Sequence, residues 1–252
     1  MKRLVMLVIV ISMLGACTTE RYIEPSDIDR ASELNAQLGL GYMQKGQYRR
    51  ALAKLDKAIK YNPDNAKAYH YKAELHRRMG QYDKAEKYYQ QALDLDPSDA
   101  NALNNYGVFL CDQGQFDKAY NLFDKIIKDP LYRYKADAYE NLGLCSYRQR
   151  KLQKAEQAFK QALEINNKMA KSIIKMAQIT YDRREKAEAY AYFKRFIALS
   201  GHNAESLWLG ILLEHERGNK NTVASYKVLL KGKFPASKET KLLRKLEAQG
   251  KI

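Results

Sequence analysis

The chain has 252 residues, with 44 Lys and Arg against 29 Asp and Glu, 13 Gly, 5 Pro and 19 Tyr, which excludes a disordered tail, a collagen-like polymer and a glycine-rich filament. With 46% apolar residues it can bury a sizeable core. Its one strongly apolar run, Leu4 to Leu14, is about half the ~20 residues a membrane-spanning helix needs, so no transmembrane span is expected.

Lys2 and Arg3 precede the apolar stretch Leu4 to Ile11, and Ser12-Met13-Leu14-Gly15-Ala16 supplies the small residues of a secretory cleavage site, so residues 1–16 read as a signal peptide. Leu14-Gly15-Ala16-Cys17 resembles the lipobox of bacterial lipoproteins. That resemblance implies that Cys17 carries acyl chains and becomes the first mature residue, held stably on its membrane because each buried methylene adds about 0.8 kcal/mol. Thr18, rather than Asp, follows the Cys, and by the same resemblance the expected place is the periplasmic face of the outer membrane. Residues 17–31 are the lipidated Cys and a polar tether with one Pro. A periplasm-facing lipoprotein meets little nucleic acid, so the basic balance is read against anionic lipid or an acidic partner.

From residue 32 the chain repeats itself. Gly46-Gln-Tyr48-x-x-Ala51, Gly80-Gln-Tyr82-x-x-Ala85 and Gly114-Gln-Phe116-x-x-Ala119 recur at intervals of 34 residues, the period of the tetratricopeptide repeat. Small residues let two helices approach, an aromatic fills the adjoining gap, Gly forms the turn and Pro ends the hairpin. The repeats are set at 32–65, 66–99, 100–135, 136–169, 170–203 and 204–237. The fourth replaces its turn Gly with Arg150, the fifth with Arg184 and Lys186, and the sixth has Ile211, Val223 and Lys227 where small or aromatic residues are expected. Residues 238–252, with Leu242, Leu243 and Leu246 on one face, read as a capping helix and tail. The expected fold is all-α, a right-handed solenoid of six helix hairpins with a C-terminal capping helix and a concave face lined by first helices.

No phosphate loop, dinucleotide fingerprint, nucleophile elbow or zinc-binding His pair occurs in the chain. His70, His76, His202 and His215 lack metal-ligand spacing. No catalytic residue, metal, cofactor or small-molecule substrate is therefore expected. Tyr42, Tyr48, Tyr82, Tyr89, Tyr106 and Tyr139 fall in the aromatic slots of the repeats and read as core. Cys111 and Cys145 remain once Cys17 is set aside. In an oxidising compartment they are either two buried thiols or a bridge, and their place on neighbouring first helices favours the bridge.

Several stretches exceed a generic repeat: Asn104-Asn105-Tyr106-Gly107-Val108-Phe109-Leu110-Cys111, Asn141-Leu142-Gly143-Leu144-Cys145, Ser206-Leu207-Trp208-Leu209-Gly210-Ile211 and Leu229-Leu230-Lys231-Gly232-Lys233-Phe234-Pro235. With the lipobox and the repeats they resemble the PilW/PilF family of type IV pilus biogenesis lipoproteins, the pilotins. The resemblance implies a non-enzymatic outer-membrane lipoprotein that binds the pilus secretin subunit and promotes its localisation and assembly. A general periplasmic scaffold in cell-envelope assembly is the alternative, and a hydrolase with an unrecognised site a third possibility. The repeat places that face the groove give Leu40, Met43, His70, Glu74, Arg77, Asn104, Val108, Asp112, Glu140 and Leu144 as candidate partner contacts. A smooth groove is expected in the regular early repeats, and the basic stretch from Lys227 to Ile252 is read as cap, solubilising surface or headgroup contact.

Overall fold

A small residue on the first helix of each hairpin meets a large one at constant spacing on the second: Gly39 with Leu55, Ala73 with Tyr89, Gly107 with Phe123, Gly143 with Phe159, Ala177 with Phe193 and Gly210 with Tyr226. The close approach is real. A Cβ on Gly143 would lie 2.5 Å from the Phe159 ring, and one on Gly107 would lie 2.8 Å from Phe123. In the last hairpin the pair sits one place earlier than the repeat positions of Ile211 and Lys227, and Gly210 faces both Tyr226 and Phe193 at 2.8 Å. Ile211 is instead fully buried in a cluster with Leu207, Leu230 and Leu243.

The computed structural model describes residues 25–252, which form thirteen α-helices and no strand among the described residues. Six hairpins follow in order: α1 (Pro25–Gln44) with α2 (Tyr48–Tyr61), α3 (Ala66–Arg78) with α4 (Tyr82–Leu95), α5 (Ala100–Asp112) with α6 (Phe116–Lys128), α7 (Lys135–Arg148) with α8 (Leu152–Ile165), α9 (Ala170–Asp182) with α10 (Lys186–Ser200), and α11 (Ala204–Glu216) with α12 (Lys220–Lys233). Helix α13 (Lys238–Ala248) packs on α11 and α12 and closes the stack. The chain is thus an all-helical tetratricopeptide solenoid. The signal peptide, Cys17 and the first part of the tether lie outside the described residues. The rest of the expected tether is helical instead: α1 starts at Pro25, because Pro is suited to a first helical turn and Asp27 complements the helix dipole there. Ser32 then ties α1 down by donating to the Ala58 carbonyl at 2.8 Å.

First helices touch the next first helix at α1 and α3, α3 and α5, α5 and α7, and α7 and α9, whereas second helices do not approach one another this way. The first helices therefore line the inner, concave side. Helices α9 and α11 approach less closely than the other neighbours, after an α10 that runs to Ser200 before Gly201 turns the chain at φ +67. Side chains bridge the wider gap: Tyr181 donates to Glu216 at 2.9 Å, and Lys175 pairs with Glu205.

The largest cluster of buried side chains joins the second, third and fourth hairpins around Tyr89, Phe109 and Phe123. Tyr89 stacks on Tyr106 with ring centroids 5.2 Å apart. Tyr42, Tyr48 and Tyr139 are half-buried. Tyr82 departs from the expected core role. It is 50% exposed, because it opens α4 at the solvent edge of the turn. Cys111 and Cys145 form a disulfide with Cα atoms 5.8 Å apart, tying α5 to α7.

Candidate functional site: the inner groove

The ten residues expected to face a partner fall into two groups. Met43, only 1% exposed, packs against Leu55 and Leu75 in the first hairpin's core, because α3 covers that side of α1. It is not a groove residue. His70, Glu74 and Glu140 are also buried, and each is spent on holding the stack together. His70 bonds Asn105 at 2.9 Å and lies 3.6 Å from Asp99, the residue that caps α5. Burial pushes the Asp99 carboxyl up, but His70 and the Ala102 and Asn101 amides outweigh it and leave it below the usual range. Glu140 accepts from the Ser172 amide at 3.0 Å and from its hydroxyl at 2.9 Å. It thereby caps α9 from the neighbouring α7, since Met169 at the start of α9 has no capping side chain.

Glu74 is the hub of the early groove. It accepts from Arg77 at 2.7 and 2.9 Å, from Arg78 at 3.0 Å and from the Tyr89 hydroxyl at 2.9 Å. Burial raises its carboxyl, yet these donors, Arg77 foremost, hold it below the ordinary carboxylate range. The same burial, with Glu74 alongside, drives the Tyr89 phenol well up.

The remaining candidates reach solvent. Leu40, Val108 and Leu144 are half-buried, Asn104 accepts from Asn141 at 3.1 Å, and Arg77 lies 3.8 Å from Asp112. Arg148 pairs with that same Asp112, so two guanidinium groups share one carboxylate across α3, α5 and α7. Arg77, Asp112 and Arg148 line a recess of about 380 Å³ together with Tyr82 and Phe109.

The larger of the two recesses is not in the early hairpins. A recess of about 720 Å³ opens where the inner wall widens, between α7, α9, α11 and α13. Its floor is a hydrogen-bonded chain: Tyr147 donates to Gln178 at 3.2 Å, Gln178 donates to Glu205 at 2.8 Å, and Lys175 lies on Glu205 and 4.9 Å from the Tyr147 ring centroid. Its apolar wall is Leu144, Trp208 and Leu242. Of these only Leu144 was expected. Arg150 also lines it, held at φ +63 in a turn that follows the same hydrogen-bond pattern as the glycine turns, with the Lys151 amide donating to the Ser146 carbonyl at 2.9 Å. An arginine at the place where the regular hairpins carry the turn glycine was the available sequence signal, together with the chain's single Trp. Among the described residues no group of His, Cys, Asp and Glu is placed to hold a metal ion, and no helix is long and apolar enough to cross a membrane.

A stack of helix hairpins with a continuous inner groove defines a tetratricopeptide scaffold, a class built to present extended binding surfaces. Models of the tetratricopeptide repeat match residues 37–100, 77–130 and 136–169. The type IV pilus assembly protein PilF of Pseudomonas aeruginosa is 35% identical over 211 residues, 84% of this chain and 84% of that protein. A solved structure of Pseudomonas aeruginosa PilF superposes with a TM-score of 0.80 at 34% identity, covering 86% of this chain and 98% of that one. A crystal structure of PilW, a type IV pilus biogenesis factor, gives a TM-score of 0.76 at 30% identity over 84% of this chain and 97% of that one. The chain belongs to the PilF and PilW family of type IV pilus biogenesis tetratricopeptide proteins.

Proposed function

We propose that the protein is a pilotin. Anchored through Cys17 to the periplasmic leaflet of the outer membrane, it binds the type IV pilus secretin subunit and promotes its localisation and assembly into rings, without catalysing a reaction. The observation that carries this reading is the likeness to PilF along nearly the whole chain, 35% identity over 84% of it, combined with an inner groove suited to a protein segment. The lipobox adds the anchor. Confining a binder to a membrane surface raises its partner's effective concentration there without any new contact, which favours assembly in the right place.

The test is genetic and fractional. Deleting the gene should leave secretin monomer present and abolish secretin oligomers, while Cys17→Ala should leave a folded, exported protein that no longer floats with the outer membrane. Normal oligomer levels in the deletion strain would reject the pilotin role. Unchanged flotation of Cys17→Ala would reject the lipid anchor.

A further inference from the structure

The recess between α7, α9, α11 and α13 carries more positive charge than it uses. Four cations line it, Arg148, Arg150, Lys175 and Lys238, against two carboxylates, Glu205 and Glu239. Glu205 is already taken by Lys175 and Gln178. Glu239 is buried against the wall, with Lys238 3.8 Å away. Arg148 must share Asp112 with Arg77. Arg150 makes no ion pair within 4 Å among the described residues, although Asp182 at the end of α9 is near enough to feel its charge, and Lys238 is 91% exposed in its side chain. Lys175 and Glu205 neutralise each other in the floor, and the lining as a whole keeps two more cations than carboxylates.

A second, independent observation concerns Arg150. Four other hairpins put glycine in this left-handed turn position, Gly46, Gly80, Gly114 and Gly218, because a side chain is strained there. The fourth and fifth hairpins hold Arg150 and Arg184 in the strained conformation, and of the two Arg150 lines the recess. Strain of this kind persists where the surrounding structure imposes it, and such outliers cluster at ligand sites. Opposite lies Trp208, half-buried, beside Leu242, which is 42% exposed. Tryptophan and arginine are the side chains that dominate protein interfaces.

We propose that this recess binds an acidic peptide segment of a protein partner, seating one large apolar side chain between Leu144, Trp208 and Leu242 and placing its carboxylates on Arg148, Arg150 and Lys238. The inference deepens the pilotin reading by naming the surface and the chemistry of the bound segment. The hydrophobic anchor supplies affinity in the half-buried wall, and the cations select against basic or neutral segments through charge complementarity.

Trp208 is the chain's single tryptophan, so its fluorescence reports on this recess alone. The probes are a short peptide of Asp, Glu and Ser residues around one Phe, its counterpart with Lys in place of the acids, and its counterpart with Ser in place of Phe, each titrated into the purified full-length chain. The acidic Phe peptide should shift Trp208 emission and lose affinity as salt is raised, and the two counterparts should not bind. Arg150→Gly, which relieves backbone strain, and Leu242→Ser, at a half-exposed position, should keep the helical circular dichroism and each weaken binding about tenfold. Binding that is absent, equal for the Lys peptide or indifferent to both substitutions overturns the proposal. The purified periplasmic region of the secretin subunit is titrated in parallel. If it binds both variants as well as the parent chain, the pilotin reading stands and the recess is not its site. If the acidic peptide behaves as expected and the secretin region does not bind, the recess stands and the pilotin reading falls.

Discussion

Hairpins one to three close their turns with Gly46, Gly80 and Gly114, whereas hairpins four and five hold Arg150 and Arg184 in the same left-handed conformation. The inner faces differ in parallel. In the first half the polar groups of the inner helices are consumed internally: His70 supports the cap of α5, and Glu74 gathers Arg77, Arg78 and Tyr89. In the second half the inner wall widens between α9 and α11, and cations are left facing a recess. The arginine turn at Arg150 thus coincides with the recess between α7, α9, α11 and α13, while the turn at Arg184 lies outside its lining. The disulfide between Cys111 and Cys145 sits on the seam, fastening α5 to α7.

Breaking that seam should have the largest effect. The bridge spans 34 residues, and closing a loop of that size is worth about 3 to 4 kcal/mol in the chain-entropy model. Cys145→Ser, or reduction of the parent protein, should lower the denaturant midpoint accordingly. Because repeat proteins couple only through neighbouring interfaces, the transition should also broaden as the two halves begin to unfold separately. Superimposable unfolding curves with and without reductant would show that the halves are held together by packing alone.

Next in size is the close approach within each hairpin, which both halves share. Gly143→Ala would press a methyl carbon to 2.5 Å from the fully buried Phe159 ring, and should cost about 1 to 3 kcal/mol as overpacking does elsewhere. Gly41→Ala is the internal control. No atom lies within 4 Å of its Cβ position on α1, so the better helix propensity of Ala should stabilise by about 0.5 to 1 kcal/mol. Thermal unfolding of the two variants should move in opposite directions, and equal shifts would contradict the packing described for the Gly143 and Phe159 pair.

These pairs also show what could be read from the amino-acid sequence. The turn glycines at 46, 80 and 114 were legible because a backbone that needs positive φ selects a residue without Cβ, and the fold class followed from their spacing. Gly210 and Tyr226 were missed because positions were counted from the repeat start; the constant spacing between small and large partner would have found them. Met43 and His70 were placed on the groove because repeat position gives a helix face, and it does not say how far the next hairpin slides over that face. The recess between α7, α9, α11 and α13 escaped the sequence reading for a related reason. Irregular turns at Arg150 and Arg184 read as damage to the repeat, whereas Arg150 contributes to the wall of the recess. Pro25 and Asp27 were start signals for α1 that a polar composition masked.

The arginine turns allow a smaller and sharper comparison. Replacing Arg150 or Arg184 by Gly should stabilise the protein by about 1 kcal/mol each, the cost of a side chain in the left-handed region less the greater freedom of Gly in the unfolded chain. Only Arg150 lines the recess. Arg150→Gly should therefore gain stability and weaken acidic-peptide binding about tenfold, while Arg184→Gly should gain stability and bind unchanged. Differential scanning calorimetry and the Trp208 titration together decide this, and loss of binding in both variants would place the cation requirement in the general field of the edge.

The smallest expected effects are in pH dependence, and they have opposite signs for Glu74 on α3 and Asp182 on α9. Burial tends to raise Glu74 and Asp99, yet their hydrogen-bond donors prevail and hold both below the ordinary range in the folded protein. Their contribution is therefore present above about pH 4, where unfolded carboxyls titrate, and is lost as pH falls through the folded values. Asp182, at the end of α9, is pushed up by partial desolvation, against the opposing influence of Arg150. Its contribution is complete below the unfolded value and declines as pH rises through the folded one. Glu74→Gln should flatten the loss of unfolding midpoint between about pH 5 and pH 3, whatever its effect on the baseline. Asp182→Asn should change that limb in the opposite sense, making the loss on acidification slightly steeper, and slightly raise stability near neutrality. Because Asp182 reaches solvent while Glu74 is enclosed by Arg77, Arg78 and Tyr89, the first slope change should exceed the second. The reverse order would mean that the bracing of the early hairpins is not electrostatic.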